Sequence, residues 1–217
     1  MSRRQERKNT SFRRRAKIRE PYDVVLIVCE DEKTEPNYFN ALKNELRLSN
    51  ANIRICGREC GSAPKSVVEF AKQEFKKDPV YDRIFCVFDK DRHETYSKAL
   101  DMVRSTRLPS GKEIKAITTV PCFEFWLLLH FKDTARPYVP AGGNSACGLV
   151  MRDLKKFMPN YEKGQNDVFV RTYGSINYAI TCAKQLEKRQ ETAGTDNPST
   201  KVHHLVEYLQ NLKKQVY

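Results

Sequence analysis

Residues 23–32 read DVVLIVCEDE and residues 82–91 read DRIFCVFDKD. Each is a β-branched or aromatic run that stops abruptly at acids. A strand that is apolar at nearly every position is buried on both faces, and such strands belong to parallel sheets covered by helices on each side. Working outward from the first run, Pro36 suits the opening turn of a helix, with Thr34 or Glu35 in the cap region. Tyr38, Phe39, Leu42 and Leu46 then recur at helical spacing. Ala51–Cys56 predicts a second strand and Lys65–Lys77 a second helix. After the second apolar run come a helix over Glu94–Thr106, a strand over Lys115–Val120 stopped by Pro121, and a mostly buried helix over Cys122–Phe131. Strands alternating with helices predict an α/β fold, a parallel sheet with right-handed crossovers flanked by helices.

Beyond His130 the pattern changes. Residues 132–144 carry Pro137, Pro140, Gly142 and Gly143, a loop long enough to suspect function. Helices are expected near Ser145–Phe157, Ser175–Arg189 and Lys201–Val216, the last two separated by the polar turn ETAGTDNPST. Three regions follow: a disordered basic arm over 1–20, a catalytic α/β domain over 21–131, and a C-terminal loop and helical extension over 132–217 that packs on the same core.

The chain has 217 residues and a net charge of +12. Nine Lys/Arg, including Arg13, Arg14 and Arg15, crowd into residues 1–20 against Glu6 and Glu20, so the arm is strongly basic and the body mildly so. Phosphate is the simplest partner for such an arm, because each neutralised phosphate releases a counterion. No apolar run reaches the ~18 residues a membrane span needs, and no secretory h-region follows the basic start. Seven cysteines, an odd number, fit reduced thiols in a cytosol better than a disulfide scaffold, and predict a cytoplasmic protein. Cys56 and Cys60 lack a second pair at zinc-finger spacing, and adjacent His203 and His204 predict poor ligand geometry.

The chemistry is expected off the carboxyl ends of the strands. Strand one ends in Glu30-Asp31-Glu32, with Glu35 shortly after; the second apolar run ends in Asp89-Lys90-Asp91. In an extended D-x-D both carboxylates share a side. Clustered carboxylates repel unless a cation neutralises them, and hard oxygen ligands suit Mg2+ or Mn2+. Taken singly, such acids are more often helix caps. Glu124, set among Phe123, Phe125 and Trp126, needs a partner: either the acid cluster with its metal, or a base such as Arg92 or His130. His130 reads as structural; His93 either touches substrate or caps the next helix. Lys201, Arg92 or Lys33 can supply a cation beside a scissile phosphate. Tyr38, Phe39 and Trp126 read as core.

The stretches VLIVCEDEKTEPNYF, VFDKDRH and PCFEFWLLLHF, with NPSTKVHHLV at Asn197–Val206, resemble the RloB family over most of residues 22–210. That family is associated with restriction-modification loci and abortive-infection phage defence, and is similar to the Toprim fold of topoisomerases and primases. The resemblance implies a Toprim-like sheet with Glu30 after strand one, Asp89 and Asp91 as the D-x-D pair, and Glu35 as a further metal ligand. One departure stands out: Asp31 occupies a place where Toprim sequences usually carry Gly, and a Cβ there narrows the approach of phosphate.

The expectation is a Mg2+- or Mn2+-dependent nuclease of antiphage defence. Glu30, Asp89, Asp91 and Lys201 would be catalytic, and Glu35 and Glu124 would complete the metal shell. Arg13, Arg14, Arg15, Lys33, Arg92 and His93 would bind nucleic acid, either DNA or RNA, tRNA included. A companion ATPase from the same locus is implied, and a homodimer is an allowed arrangement. The rival is a non-catalytic nucleic-acid-binding or sensor subunit, favoured by Asp31. A phosphoacceptor receiver domain also places acids after two strands, but lacks the D-x-D pair and the C-terminal helices.

Overall fold

A computed structural model describes residues 22–50, 52–91 and 93–216. The elements run β1 (Val25–Cys29), α1 (Thr34–Glu45), β2 (Ile53–Cys56), α2 (Pro64–Lys77), β3 (Arg83–Asp89), α3 (Tyr96–Ser105), β4 (Glu113–Val120), α4 (Glu124–Leu128), α5 (Ala146–Leu154), α6 (Val168–Tyr173), α7 (Ile176–Ala193), β5 (Ser199–Thr200) and α8 (Val202–Asn211). Short 3-10 turns cover Arg58–Cys60 and Leu212–Val216. The arm over 1–20, with Arg13, Arg14 and Arg15, and Arg92 lie outside the described residues. No helix among the described residues is long and apolar enough to cross a membrane.

The sheet order is β2-β1-β3-β4-β5. The first four strands are parallel; β5 runs antiparallel to β4, pairing Thr119 with Thr200 and Val120 with Ser199. The sheet is therefore mixed at one edge, where the sequence predicted only a polar turn before a helix. Two residues are too few to show a strand's alternation, and neither is apolar.

The two apolar runs behave as their composition requires. Along β1, Val25, Ile27 and Cys29 enter the core beneath α1 and the C-terminal helices, while Leu26 and Val28 enter the opposite core beneath α2 and α3. β3 divides the same way, with Phe85 and Val87 on one side and Ile84, Cys86 and Phe88 on the other. Each such side chain stabilises the fold by about 1.5–3 kcal/mol relative to leaving it in water. The first core is continuous from β1 through α4 to α8, so residues beyond 132 bury their apolar faces against the same sheet.

Parallel register places Cys29 beside Val87 and Asp89 beside Thr119. Glu30 and Asp89 therefore leave the sheet at one edge. The loop to α1 is fixed by Asp31, whose carboxylate accepts from the backbone N–H groups of Lys33 and Thr34, each at 3.2 Å. Those are helix-start donors with no partner inside the helix. Gly57 is held close against this loop: a Cβ there would lie 2.6 Å from Pro36 Cγ and 2.7 Å from the Asp31 carbonyl. Gly57→Ala should lower stability by about 1–3 kcal/mol through overpacking. A urea midpoint equal to wild type would show that the loop yields freely.

Other expectations shift by a turn or less, with two exceptions. The predicted helix over Cys122–Phe131 contracts to α4, continued by turns, and α6 was not foreseen. At five and six residues, neither is long enough to show a full helical period. The Pro/Gly-rich segment over 132–144 is tied down at several points. Asn197 brackets the backbone of Tyr138 (3.1 and 2.8 Å), the Tyr138 hydroxyl donates to Asp153, and Arg189 clasps Asp133 at 3.2 and 2.9 Å.

Candidate metal and phosphate site

Six carboxylates, from Glu30, Asp31, Glu35, Asp89, Asp91 and Glu124, line one cavity of about 280 Å3 at the carboxyl edge of the sheet. Glu30 comes from the end of β1, Asp89 from the end of β3, Glu35 from the first turn of α1, and Glu124 opens α4. The sequence-predicted metal ligands thus meet in one place. Asp91 reaches it by a route other than the extended D-x-D expected: β3 ends at Asp89, and Asp91 sits in a turn at φ 22°, its N–H donating to the Pro121 carbonyl at 3.0 Å.

The hydrogen bonds leave oxygens over. Glu30 Oε2 accepts from the Asp89 backbone N–H at 2.9 Å, and Asp89 Oδ2 from that of Phe123 at 2.9 Å. Glu30 Oε1 and Asp89 Oδ1 are buried with no hydrogen-bond partner among the described residues. His93 Nε2 lies 3.0 Å from Glu30 Oε1, close enough for charge attraction but without hydrogen-bond alignment. Buried acceptors left without a donor are costly, and a cation is one group that would satisfy them.

Electrostatics agree. Burial pushes Glu35 well above the usual carboxylate range, and Asp89, Asp31 and Glu30 push it further. Asp89 is raised likewise, by burial first and then by Glu124, against the Phe123 N–H. Glu30 is raised by burial, partly offset by the Asp89 N–H. These are carboxylates that resist ionising until a positive charge joins them. Oxygen ligands in a small rigid cleft fit Mg2+ or Mn2+.

Glu124 is buried but not alone. Its carboxylate accepts from the Tyr161 hydroxyl at 3.1 Å, lies 3.4 Å from Lys163 Nζ, and takes a contact from Cys147 Sγ at 3.6 Å. Its cation among the described residues is Lys163, where the sequence suggested Arg92 or His130; His130 turns to the Trp126 carbonyl instead, and Arg92 lies outside the described residues. Burial pulls the Lys163 amine down, but Glu124 and Asp89 outweigh it and hold the group above its ordinary value. The sequence held no signal for Lys163, which lies in a polar stretch with no motif. It arrives because the loop before α6 docks on α1: the Gly164 N–H donates to Thr34 Oγ1 at 3.0 Å, and Asn37 donates to the Gly164 carbonyl and to Asn166.

Three other expectations are corrected. Lys201 is not at this cavity; it pairs with Glu187 of α7, because the β5 edge turns it toward that helix. Lys33 runs against Gly164 instead, within 3.0 Å of where a Cβ on that glycine would sit. Cys122 and Cys147 form a disulfide where seven reduced thiols were expected. Packing of α4 on α5 brings their Cα atoms to 5.6 Å, within bonding range. His93 faces Glu30 within the cavity wall, and His130 is structural: its Nδ1 lies 3.0 Å from the Trp126 carbonyl, and burial holds it down to about 4.

No curated protein and no solved structure matches the chain. The family model for RloB-like protein matches residues 25–209, a span that runs from β1 into α8 and takes in every carboxylate of the cavity, and the chain therefore belongs to the RloB-like family.

Proposed function

We propose that the protein is a Mg2+- or Mn2+-dependent nuclease of the Toprim type, working in antiphage defence with a companion ATPase. The observation that carries this reading is the pair of buried oxygens without a hydrogen bond among the described residues, Glu30 Oε1 and Asp89 Oδ1, amid six carboxylates. Glu30, Asp89 and Asp91 would hold the ion, with Glu35 beside them. The bound ion supplies Lewis acidity toward a phosphoryl oxygen and favours ionisation of the attacking water. Glu30, with His93 at 3.0 Å, is placed to take up and pass on a proton at Oε1. Glu124 anchors Lys163, whose half-exposed amine faces the cavity and offsets phosphate charge. Asp31 also has a local role, holding the start of α1.

A separate groove of about 1020 Å3 along β4 is lined by Arg104, Arg107, Lys112, Lys115 and Lys201 against Glu113 and Asp196. That excess of positive charge supports a nucleic-acid partner.

The test is cleavage of plasmid, single-stranded DNA and total tRNA with Mg2+ or Mn2+, with and without the companion ATPase. Metal-dependent cutting of one of these is expected. If nucleic acid and metal bind but nothing is cut under any combination, the sensor-subunit reading replaces this one. Lys163→Met should slow cleavage roughly 100-fold, the scale of losing one stabilising donor, while metal affinity changes far less. Unchanged turnover would remove Lys163 from the mechanism.

A further inference from the structure

A second cluster lies away from the acid cavity, where α7 meets the start of α8. His203 and His204 occupy the first turn of α8, and Glu187 faces them from α7. Glu187 Oε2 is 3.3 Å from His203 Nε2 and 3.2 Å from His204 Nε2. His203 has no exposed side-chain surface, and its Nε2 lies beside Glu187 Oε2 without hydrogen-bond alignment. A buried imidazole left in that state is costly.

We propose that Glu187, His203 and His204 form a transition-metal site of the imidazole–carboxylate type, with Zn2+ the ion that fits it. Bonds of about 2.0–2.1 Å at tetrahedral angles place neighbouring ligand atoms roughly 3.3 Å apart, and the two nitrogen–oxygen separations are 3.2 and 3.3 Å. One ring nitrogen from each histidine and a Glu187 carboxylate oxygen all lie within 4.8 Å of one another. Adjacent histidines seldom share a metal, but here the rings are tilted face to face, their centroids 3.9 Å apart, so both Nε2 atoms approach one carboxylate oxygen. Lys201 occupies Glu187 Oε1 and leaves Oε2 to the ion. His204 is half exposed, so the fourth position opens to solvent. This chemistry differs from the all-oxygen cavity: imidazole selects zinc-like ions over Mg2+.

The experiment is equilibrium Zn2+ binding to the full chain after chelator treatment, in the Asp89→Asn background that cripples the oxygen cavity. Asp89→Asn should bind one equivalent of Zn2+, and adding His204→Gln should weaken it at least tenfold. His204 is half exposed, so the change leaves the fold intact, and matching melting curves without metal will verify it. Zn2+ should also raise the melting temperature of Asp89→Asn and not of the double variant. Absence of tight Zn2+ binding in Asp89→Asn, or equal affinity in the double variant, overturns the proposal. Neither result bears on the nuclease reading, which is tested by cleavage.

Discussion

Asp89→Asn should cut metal-dependent cleavage by roughly a thousandfold, the upper scale for losing one preorganised charge-stabilising group, and should make the metal-free protein more stable. The two effects share a cause. Burial first and then Glu124 raise the Asp89 carboxyl well above the usual carboxylate range, and its Oδ1 has no hydrogen-bond partner among the described residues. In the unfolded chain the group titrates near its ordinary value of 3.8. The native state thus binds the proton more tightly than the unfolded state, and stability is lost as pH rises from that value through the raised native one. Asparagine keeps the acceptor for the Phe123 N–H, bonded at 2.9 Å in the wild type, and removes the charge. Melting temperatures of the metal-free pair should converge at acid pH and separate as pH rises through the raised native value, with the variant higher. Mn2+ should close that gap by stabilising the wild type alone. A variant that melts lower at pH 8, or still cuts at the wild-type rate, would show that Asp89 is a structural acid and no ligand.

Trp126→Ala should cost about 3–5 kcal/mol, a large share of the 5–15 kcal/mol that holds a domain together. Trp126 has no exposed surface. Its ring stands edge-on to His130 at 4.8 Å and to Tyr38 at 6.5 Å, joining α4 to α1 across the first core. A cavity there cannot collapse easily, because rigid rings line it. α4 begins at Glu124, so the loss of packing also loosens the Glu124–Lys163 pair at the cavity. Trp126→Phe should recover more than half of the loss. Denaturant unfolding gives both numbers, and a cost below about 1 kcal/mol for alanine would contradict the packing argument.

How much of this was legible in the sequence depended on range. The runs at 23–29 and 82–88 announced strands buried on both faces, and acids at their ends announced a polar edge, because chain direction alone puts the ends of parallel strands together. Glu30, Glu35 and Asp89 were therefore readable before any coordinates. So was the core role of Tyr38 and Trp126, both buried. Composition gave no view of Lys163, since nothing local marks a lysine in a polar loop as the partner of a glutamate 39 positions earlier. It misplaced Lys201, because a two-residue antiparallel edge strand decides which way that side chain leaves the sheet. It also gave no sign that His203 and His204 both face Glu187, and it treated Cys122 and Cys147 as separate thiols.

The sequence by itself determined the four parallel strands, the two-sided core and the gathering of carboxylates at one edge, all of which follow from periodicity and chain polarity within a few residues. Only the tertiary structure decided which cation faces which acid, which oxygens are left without a donor, and which cysteines and histidines meet. Those outcomes depend on how helices from the far end of the chain dock on the sheet, and docking is set by the summed packing of a whole core rather than by any local pattern.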